Sequence, residues 1–539
     1  LWGVPSGRPP VMSEPAGLFR AVAPWSMRDG GWADPTNAAQ KAMASGRGLW
    51  QETGMISMVV VLSWPFVVFW LFARRTPAEA VVAAILGAYL MLPRNYTINL
   101  PAVPSLTKDS IAAIAAVLAG SMMLSAERLR AMAPGAVQPG WVPRSRSVQL
   151  LLILMVLAVV LTVLTNGDRL VYGGFRVQPG LRPYDVASSL GNALFMVLPF
   201  LLARKYLAHP EGQRTLVLGM VVAGLLYSLL ALYEVRMSPQ LSRMIYGYFP
   251  HEWRQHLRGG GYRPVVFLQH GLWLAIFLCG SFLAALSLWR NSEGKMRGRW
   301  MLASLWLFAV LVLSKGIGAL AIGIVLGGII LFLPIRLQIL CTAVFAGVLL
   351  TYPMARGAGL APTEQALALA YSVDPAREAS LRFRLDNEDI LLERANQRPL
   401  FGWGGWGRNR VIDDRGRDVS VTDGYWIIAI GTKGWLGYLA EFGLLLIPMI
   451  FLGLRWKSLA LTPATAGIAM ALTANMIDLI PNATLTPVTW LLAGALAGRL
   501  ELGRVAADSA VQPAGPVPRR NAYTRQVRRH SPAVLTRGA

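Results

Sequence analysis

Cysteine and charged residues are scarce in this sequence, and each scarcity excludes a class of protein. Only two of the 539 residues are cysteine, so a disulfide-stapled scaffold is excluded. The five histidines are scattered without cysteine partners, which argues against a structural zinc site. Charged residues make up 15% of the chain, whereas an average soluble domain carries about 25%. The chain has no Gly-Lys-Ser or Gly-Lys-Thr phosphate loop, so a P-loop nucleotide site is excluded.

Apolar residues are abundant instead. Hydrophobic residues make up 54% of the chain, and the mean hydropathy is +0.46. A soluble protein has too little interior for so much apolar surface, so the composition indicates a membrane protein with the lipid bilayer as a partner. The net charge of +23 does not indicate nucleic-acid binding, because membrane proteins concentrate lysine and arginine in their cytoplasmic loops.

Long apolar windows predict the fold class. A spanning helix needs about 20 mostly apolar residues. Windows of that kind predict about thirteen helices, near 55–73, 77–93, 110–126, 148–165, 186–203, 215–233, 264–289, 299–314, 316–333, 337–353, 434–454, 463–480 and 484–499. We therefore expect an all-α polytopic membrane protein of about 12–13 transmembrane helices, with the first group of helices in 55–353 and the last in 434–499.

Basic residues orient the predicted helices. They concentrate in four connections and in the C-terminal tail, which all fall on one side of the membrane: 127–147, 204–214, 290–299, 455–462 and 500–539. The positive-inside rule makes that side the cytoplasm, so 500–539 is predicted to be a basic cytoplasmic tail. Residues 1–54 lack periodicity, and we interpret them as a disordered or wrongly assigned N-terminal extension.

One long segment between predicted helices, residues 354–433, lies on the outer side. A connection of about 80 residues is uncommon and is usually functional or disordered. Within it, residues 380–397 place Leu385, Ile390 and Leu392 between charged residues, which predicts an amphipathic helix on the outer membrane surface. A turn rich in glycine and tryptophan follows this helix.

Three groups of residues on the outer side suggest chemistry on a phosphate-activated sugar. They are the Gly-rich loop with Arg258, Arg263 and His270, the charged helix with Arg382, Arg384 and Glu388, and the loop exit at Asp423. Arginine offers bidentate, permanently charged donors to pyrophosphate. A neighbouring carboxylate can take the proton of a hydroxyl nucleophile, and the Gly/Trp turn with Trp403 can hold sugar rings.

Each of these residues also has a structural explanation. Arg263 can anchor a helix end to lipid phosphates, and the charges of 382–398 can form a solvated helix face. His270 can be a buried, hydrogen-bonded histidine. Glu441 and Asp478 lie within predicted spans, where a carboxylate is either functional or a hydrogen-bonding group in the packing.

The arrangement as a whole resembles the O-antigen ligase and O-antigen polymerase superfamily. The similar stretches are Leu313-Ser314-Lys315-Gly316, residues 382–393, Arg398-Pro399-Leu400-Phe401-Gly402-Trp403-Gly404, Asp423-Gly424-Tyr425-Trp426 and the loop from Gly260 to Gly271. The resemblance implies a multi-pass protein of the bacterial inner membrane in which 354–433 is one long periplasmic loop.

The resemblance also implies metal-independent glycosyl transfer on the periplasmic face, without a cofactor. The donor would be a glycan on undecaprenyl pyrophosphate, and the acceptor a sugar or a glycolipid. Arg263 and either Arg382 or Arg384 would bind the pyrophosphate, and Arg258, Glu388 and Trp403 complete the substrate-binding set of the hypothesis. Other polysaccharide-assembly proteins are further candidate partners.

The loop exit departs from the family pattern. Where the ligases carry a His-Asn pair, this chain has Asp423-Gly424, which favours a polymerase or another exopolysaccharide protein over a ligase. Asp423 is our first candidate base, with Gly424 leaving room for a sugar, and His270 is our second. The alternative for Asp423 is an N-cap of the following helix. A multipass transporter and a non-catalytic scaffold of a polysaccharide export system are the alternative functions.

Overall fold

A computed structural model describes residues 35–99, 104–124, 140–250, 253–258, 260–459 and 461–503, without the side chains of 35–54, 373 and 376. The chain divides into two units, Leu1–Gln51 and Glu52–Ala539. The described part of the first unit, residues 35–51, is helical, although the sequence predicts no regular structure there. The predicted tail beyond residue 503 lies outside the described residues.

Helices make up most of the described chain. They are α1 Pro35–Arg74, α2 Pro77–Met91, α3 Lys108–Met123, α4 Arg146–Leu164, α5 Asp185–Tyr206, α6 Pro210–Met237, α7 Leu241–Tyr246, α8 Gly271–Arg290, α9 Gly294–Leu313, α10 Ile317–Phe332, α11 Ile335–Gly357, α12 Thr363–Val373, α13 Pro375–Asn396, α14 Tyr425–Leu454, α15 Pro463–Asp478 and α16 Pro487–Leu502. Each apolar window predicted from the sequence falls on one of these helices.

Eight of the described helices are long and apolar enough to cross a membrane, which confirms an all-α multi-pass membrane protein. Two shorter ones, α2 and α10, are apolar as well. Burial differs sharply among the long helices: 83% of the apolar window of α8 is buried, against 22% in α1 and α9. Helix α8 packs against α6, α9, α10 and α15 and therefore forms the centre of the bundle.

Capping residues explain where several helices begin. Thr76 accepts a hydrogen bond from the Glu79 N–H, and the Glu79 carboxylate accepts one from the Thr76 N–H, which forms a capping box in front of Pro77. Thr107 and Ser110 form the same arrangement at α3. These caps satisfy N–H groups that have no partner inside the first helical turn.

The connections predicted on the outer side contact one another. Two short antiparallel hairpins, which the sequence analysis did not predict, lie there: β1 Leu170–Tyr172 pairs with β2 Arg176–Gln178, and β3 Leu257–Arg258 pairs with β4 Gly261–Tyr262. Arg394 of the long loop donates to the Tyr172 hydroxyl at 3.2 Å. On the opposite side, Arg204 forms a buried ion pair with Glu501 at 2.7 Å.

Candidate functional site

A buried carboxylate fixes the loop that carries Arg263. Glu234, in the last turn of α6, accepts hydrogen bonds through Oε2 from the N–H groups of Val265 and Val266, each at 2.7 Å. Val266 has a positive φ of 57°, a conformation that a helix does not contain. The helix predicted from residue 264 therefore begins only at Gly271.

Lys315 ties this loop to the turn between α9 and α10. Its carbonyl accepts a hydrogen bond from Nη2 of Arg263 at 3.1 Å, and its Nζ donates to the Arg258 carbonyl at 2.6 Å. The stem of Arg263 crosses Gly271, where an added Cβ would lie 2.4 Å from its Cγ and Cδ. The position of the Arg263 guanidinium is thus set by segments far apart in the sequence.

Helix α13 confirms the predicted helix in the long loop, but of its three predicted apolar positions only Leu392 is buried and Leu385 is half-buried. Ile390, predicted on the apolar face, is 40% exposed. The buried positions follow helical spacing. Two of them are polar, Asn387 and Glu388, and three are apolar, Leu391, Leu392 and Ala395. This buried face packs against α14. It can include polar side chains because they find hydrogen-bond partners within the protein.

Arg384 lies on the protein-facing side of α13 and is held by the loop after α15. Its Nη1 donates to the Pro481 carbonyl at 3.0 Å and to Oδ1 of Asn482 at 3.2 Å. Asp478 fixes Asn482 in turn by accepting a hydrogen bond from its Nδ2 at 2.9 Å. Nε of Arg384 lies 3.5 Å from Oδ2 of Asp423.

Arg382 lies elsewhere on the same helix. It is 55% exposed and pairs with Glu378 at 2.6 Å, one helical turn away. This is the solvated i,i+4 pair that the sequence left open as an alternative. Of the two arginines predicted to share one role, the structure brings only Arg384 to Asp423.

Positive charge accumulates where these segments meet. We call this group the outer cation cluster: Arg258, Arg263, Lys315, Arg377 and Arg384. Burial, followed by the charges of Arg258, Arg384 and Arg377, lowers the pKa of Arg263 to about 10. The effect of these three charges on Arg263 is electrostatic repulsion between cations. An anion with several oxygens would relieve this repulsion.

Glu388 is a buried carboxyl beside the cluster. Its Oε1 accepts a hydrogen bond from the Trp426 indole at 3.3 Å, and its Oε2 lies 3.8 Å from Nε of Arg356. Burial, with the nearby charges of Asp389 and Asp423, raises the pKa of Glu388 to about 7 against the opposing effects of Trp426 and Arg356. A carboxyl with such a pKa can exchange a proton near neutral pH.

Asp423 is not a helix cap. Gly424 occupies the N-cap position of α14, and no side chain caps that helix. An added Cβ at Gly424 would lie 2.2 Å from the Ile480 carbonyl oxygen, so this glycine allows close backbone packing instead of leaving room for a sugar. The Asp423 side chain is about one-third exposed and faces Arg384. The structure therefore leaves a carboxylate beside a guanidinium at the edge of the cation cluster.

His270 caps a helix instead. It is the N-cap of α8, and its Nδ1 accepts a hydrogen bond from the Leu272 N–H at 3.1 Å. Its ring also packs against His256, with 5.0 Å between ring centroids. This placement supports a structural role for the second candidate base.

Trp403 belongs to a different group, which we call the Asp168 cluster: Asp168, Arg394, Arg398, Trp403 and Arg408. The Trp403 ring is buried, with the guanidinium carbons of Arg394 and Arg398 at 3.3 and 4.2 Å from its centroid. Its indole N–H donates to the Arg394 carbonyl at 2.7 Å. Because its ring already packs with two cations, its placement does not support stacking on a sugar.

The Gly/Trp turn fills a break in α14. This helix is interrupted at Gly434, where φ is 64° and ψ is −171°. Carbonyls before the break accept from the N–H groups of Trp403 and Gly404, and N–H groups after it donate to the carbonyls of Pro399 and Leu400, over 2.8–3.2 Å. The turn thus satisfies backbone groups that an interrupted membrane helix would leave unpaired.

Glycine is required on both sides of this contact. Gly402 has φ 67°, and an added Cβ there would lie 2.5 Å from the Thr432 carbonyl carbon. An added Cβ at Gly434 would lie 2.3 Å from the Leu400 carbonyl carbon. The spacing that resembles the family turn therefore has a packing explanation in this chain.

Several residues of the site were not identified as site residues from the sequence. Arg377 and Glu234 lie in none of the motifs quoted above, and Lys315 lies in one that did not point to Arg263; their tertiary contacts relate all three to it. The positive φ of Lys315, 56°, could likewise not be predicted from the sequence. Among the residues that the structure describes, no three His, Cys, Asp or Glu side chains come together as a metal site.

Comparison with known proteins does not assign this chain to a family. The chain matches no protein-family model, and it matches no curated protein. The resemblance to O-antigen polymerases and ligases accordingly rests on the quoted motifs.

Proposed function

We propose that this protein is a glycosyltransferase of the O-antigen polymerase or ligase type, acting at the periplasmic face of the bacterial inner membrane. The observation that carries the proposal is the outer cation cluster. Burial and like charges lower the pKa of Arg263 to about 10, so a multivalent anion is the ligand that this group fits best. The pyrophosphate of an undecaprenyl-linked glycan is such an anion at the membrane surface.

The reaction would follow from the two kinds of charge at the site. An acceptor hydroxyl attacks the anomeric carbon of the donor, and the bond from that carbon to the pyrophosphate oxygen breaks. Arg263 and Arg384 stabilise the negative charge of the departing undecaprenyl pyrophosphate. Asp423, beside Arg384 at 3.5 Å, takes the hydroxyl proton. Arg258, whose charge acts on Arg263, and Glu388, whose pKa the charge of Asp423 helps to raise, are the further candidates for binding the donor. In this proposal arginine supplies the charge that a metal supplies elsewhere.

The acceptor is a sugar of a growing glycan or of a glycolipid. Asp423 at the loop exit, where the ligases carry a His-Asn pair, supports the polymerase or exopolysaccharide alternative over the ligase. The function requires the long loop to lie in the periplasm, because the lipid-linked donor is used on that face in the family it resembles.

A complementation experiment tests the function with a matched control. A deletion strain receives wild-type protein, Arg384→Lys, Arg263→Lys or Arg382→Lys, each at equal membrane abundance. Lysine keeps the charge and loses the bidentate fork. We expect Arg384→Lys and Arg263→Lys to shorten or abolish the polymer and to accumulate the lipid-linked glycan, whereas Arg382→Lys behaves as wild type. Full synthesis in both of the first two variants would contradict the proposal.

One observation favours the transporter as the second candidate. Helix α14 is broken at Gly434, and Lys433 next to the break pairs with the buried Glu441. Broken helices and intramembrane charges occur at transporter substrate sites. A transporter would move labelled glycan into inverted vesicles without releasing undecaprenyl pyrophosphate, whereas the proposed enzyme releases it in proportion to the bonds formed.

A further inference from the structure

A cavity of about 330 Å³ lies at the outer ends of α4 and α5, under the Gly/Trp turn. We call it the α4–α5 cavity. Val159 and Val163 of α4 form one wall, and Gly404 to Trp406 form part of the rim. Its volume is at the lower end of the range for small-molecule sites, about 300–1,000 Å³. None of the residues predicted from the sequence to bind substrate lines this cavity.

The α5 wall is polar along one stripe. Asp185, Ser188, Ser189 and Asn192 line the cavity, at the spacing that places residues on one face of a helix. These residues occupy the first two turns of a helix that is otherwise apolar enough to cross a membrane. Polar side chains in a membrane helix usually face a cavity or a partner, so this stripe indicates a hydroxyl-rich or amide-rich ligand.

The only lysine that lines the cavity does not make it an anion site. Lys433 forms an ion pair with Glu441, whose other carboxylate oxygen accepts a hydrogen bond from the Tyr425 hydroxyl at 3.0 Å. Its charge is therefore compensated, and Asp185 adds a carboxylate to the lining. The cavity contrasts with the outer cation cluster and suits a neutral polar ligand.

The rim carries an exposed aromatic ring in an unusual backbone conformation. Trp406 has a positive φ of 60°, rare for a bulky residue, and is 85% exposed. Such a conformation persists where the surroundings impose it, and it often marks a ligand site. Next to it, an added Cβ at Gly405 would meet no atom within 4 Å, so the backbone there is open to a ligand.

We propose that the α4–α5 cavity binds a neutral sugar ring, and that this sugar belongs to the acceptor glycan. A sugar presents C–H groups on its faces and hydroxyls at its edge. These match the Trp406 ring and valine wall on one hand and the serine and asparagine stripe on the other. The assignment to the acceptor rests on the proposed function, whereas sugar binding itself does not.

Cysteine protection tests the site on the full-length protein in nanodiscs. Ser189→Cys is placed in a Cys341→Ala background, because the other native cysteine, Cys279, is buried. The rate of reaction with a charged methanethiosulfonate is measured with and without ligand. The probes are methyl glycosides of glucose, galactose and N-acetylglucosamine, the same sugars on a dodecyl chain, and inorganic pyrophosphate.

We expect at least one sugar to slow labelling at Ser189→Cys. A concentration about tenfold above the dissociation constant should slow it by roughly tenfold. Protection by the methyl glycoside identifies a glycan end, and protection by only the dodecyl form identifies a glycolipid. Ala361→Cys, outside the cavity, should show no protection, and Trp406→Ala should weaken protection whereas Trp70→Ala, also exposed, should not.

Three results would overturn the proposal: no protection by any of the sugars, protection by pyrophosphate alone, or a cysteine that does not react even without ligand. The outcome is separable from the test of the proposed function. Sugar protection with full polymer synthesis in Arg263→Lys and Arg384→Lys would leave a sugar site in a protein of another function. Loss of synthesis without sugar protection would remove only the α4–α5 cavity from the account.

Discussion

The outer cation cluster and the Asp168 cluster are both rich in arginine, yet they use it differently. In the Asp168 cluster, Arg408 is 1% exposed and donates to the carbonyls of Trp403, Asp168 and Pro179. The hydrogen bond from Arg398, together with the charges of Arg398 and Arg408, lowers the pKa of Asp168. In the outer cation cluster, burial and then the charges of neighbouring arginines lower the pKa of Arg263 instead.

The difference teaches how to separate structural arginines from ligand-binding ones. In the Asp168 cluster, the arginines bind backbone carbonyls, the Asp168 carboxylate and the Trp403 ring. These contacts join the long loop to the segment that carries the β1–β2 hairpin. In the outer cation cluster, Arg258, Arg384 and Arg377 repel the charge of Arg263, although Asp423 lies 3.5 Å from Arg384. Changes in the first should reduce stability, and changes in the second should reduce function.

The largest effect is expected at Arg408. Arg408→Ala removes a buried guanidinium and leaves the carbonyls it satisfied without a partner. We expect a loss of about 3 kcal/mol in the free energy of unfolding. Thermal unfolding of the purified protein measures it, with Arg410→Ala, an exposed neighbour, as the control. An unchanged melting temperature would contradict the claim that the Asp168 cluster stabilises the fold.

Asp423→Asn should affect function without affecting stability. Asparagine retains the shape but is not a base, and the structure removes the N-cap explanation. We expect the rate of transfer to fall by roughly 100-fold or more at normal protein abundance. The measurement is release of undecaprenyl pyrophosphate from a lipid-linked donor. Normal release would exclude Asp423 as the base.

Glu388 should give the site a pH dependence near neutrality. Folding raises its pKa from 4.5 to about 7, so the folded state binds more protons than the unfolded state in that interval. Stability should therefore fall as the pH rises from about 4.5 to 7, and Glu388→Gln should abolish this slope. Melting temperatures across this range measure it, and an identical slope in the variant would contradict the assignment.

The smallest effect is expected at Arg382. It is exposed and pairs only with its helical neighbour Glu378 among the described contacts. Arg382→Ala should leave both the melting temperature and the rate of transfer close to those of the wild type. A large loss of transfer in this variant would contradict the claim that Arg384, and not Arg382, belongs to the site.

Hydropathy predicted the helices well because a membrane-spanning helix needs a continuous run of apolar residues. Such a run can be recognised in the local sequence, without knowledge of tertiary contacts. It placed the start of α14 nine residues late, at 434 instead of at Tyr425. The break at Gly434 explains why: its partner is the turn at Pro399–Gly404, which no local pattern pairs with it. The choice between Arg382 and Arg384 likewise depends on which face of α13 meets α14.

Site residues fixed by long-range contacts were the hardest to predict. Glu234 and Lys315 act on Arg263 through hydrogen bonds that cross 31 to 52 positions of sequence. His270 and Trp403 have residue types suited to catalysis and stacking, but their partners assign them to a helix cap and to the Asp168 cluster. Residue type suggested the chemistry, and only packing decided which side chains were available for it.

Calorimetric titration of inorganic pyrophosphate into the purified full-length protein tests the central claim most directly. The account predicts that wild-type protein binds pyrophosphate, and that Arg263→Ala and Arg384→Ala each weaken binding by about tenfold or more. Arg398→Ala, in the Asp168 cluster, and Arg382→Ala should bind like wild type. Absence of binding to the wild type, or equal binding by all four variants, would contradict the claim that the outer cation cluster is an anion site.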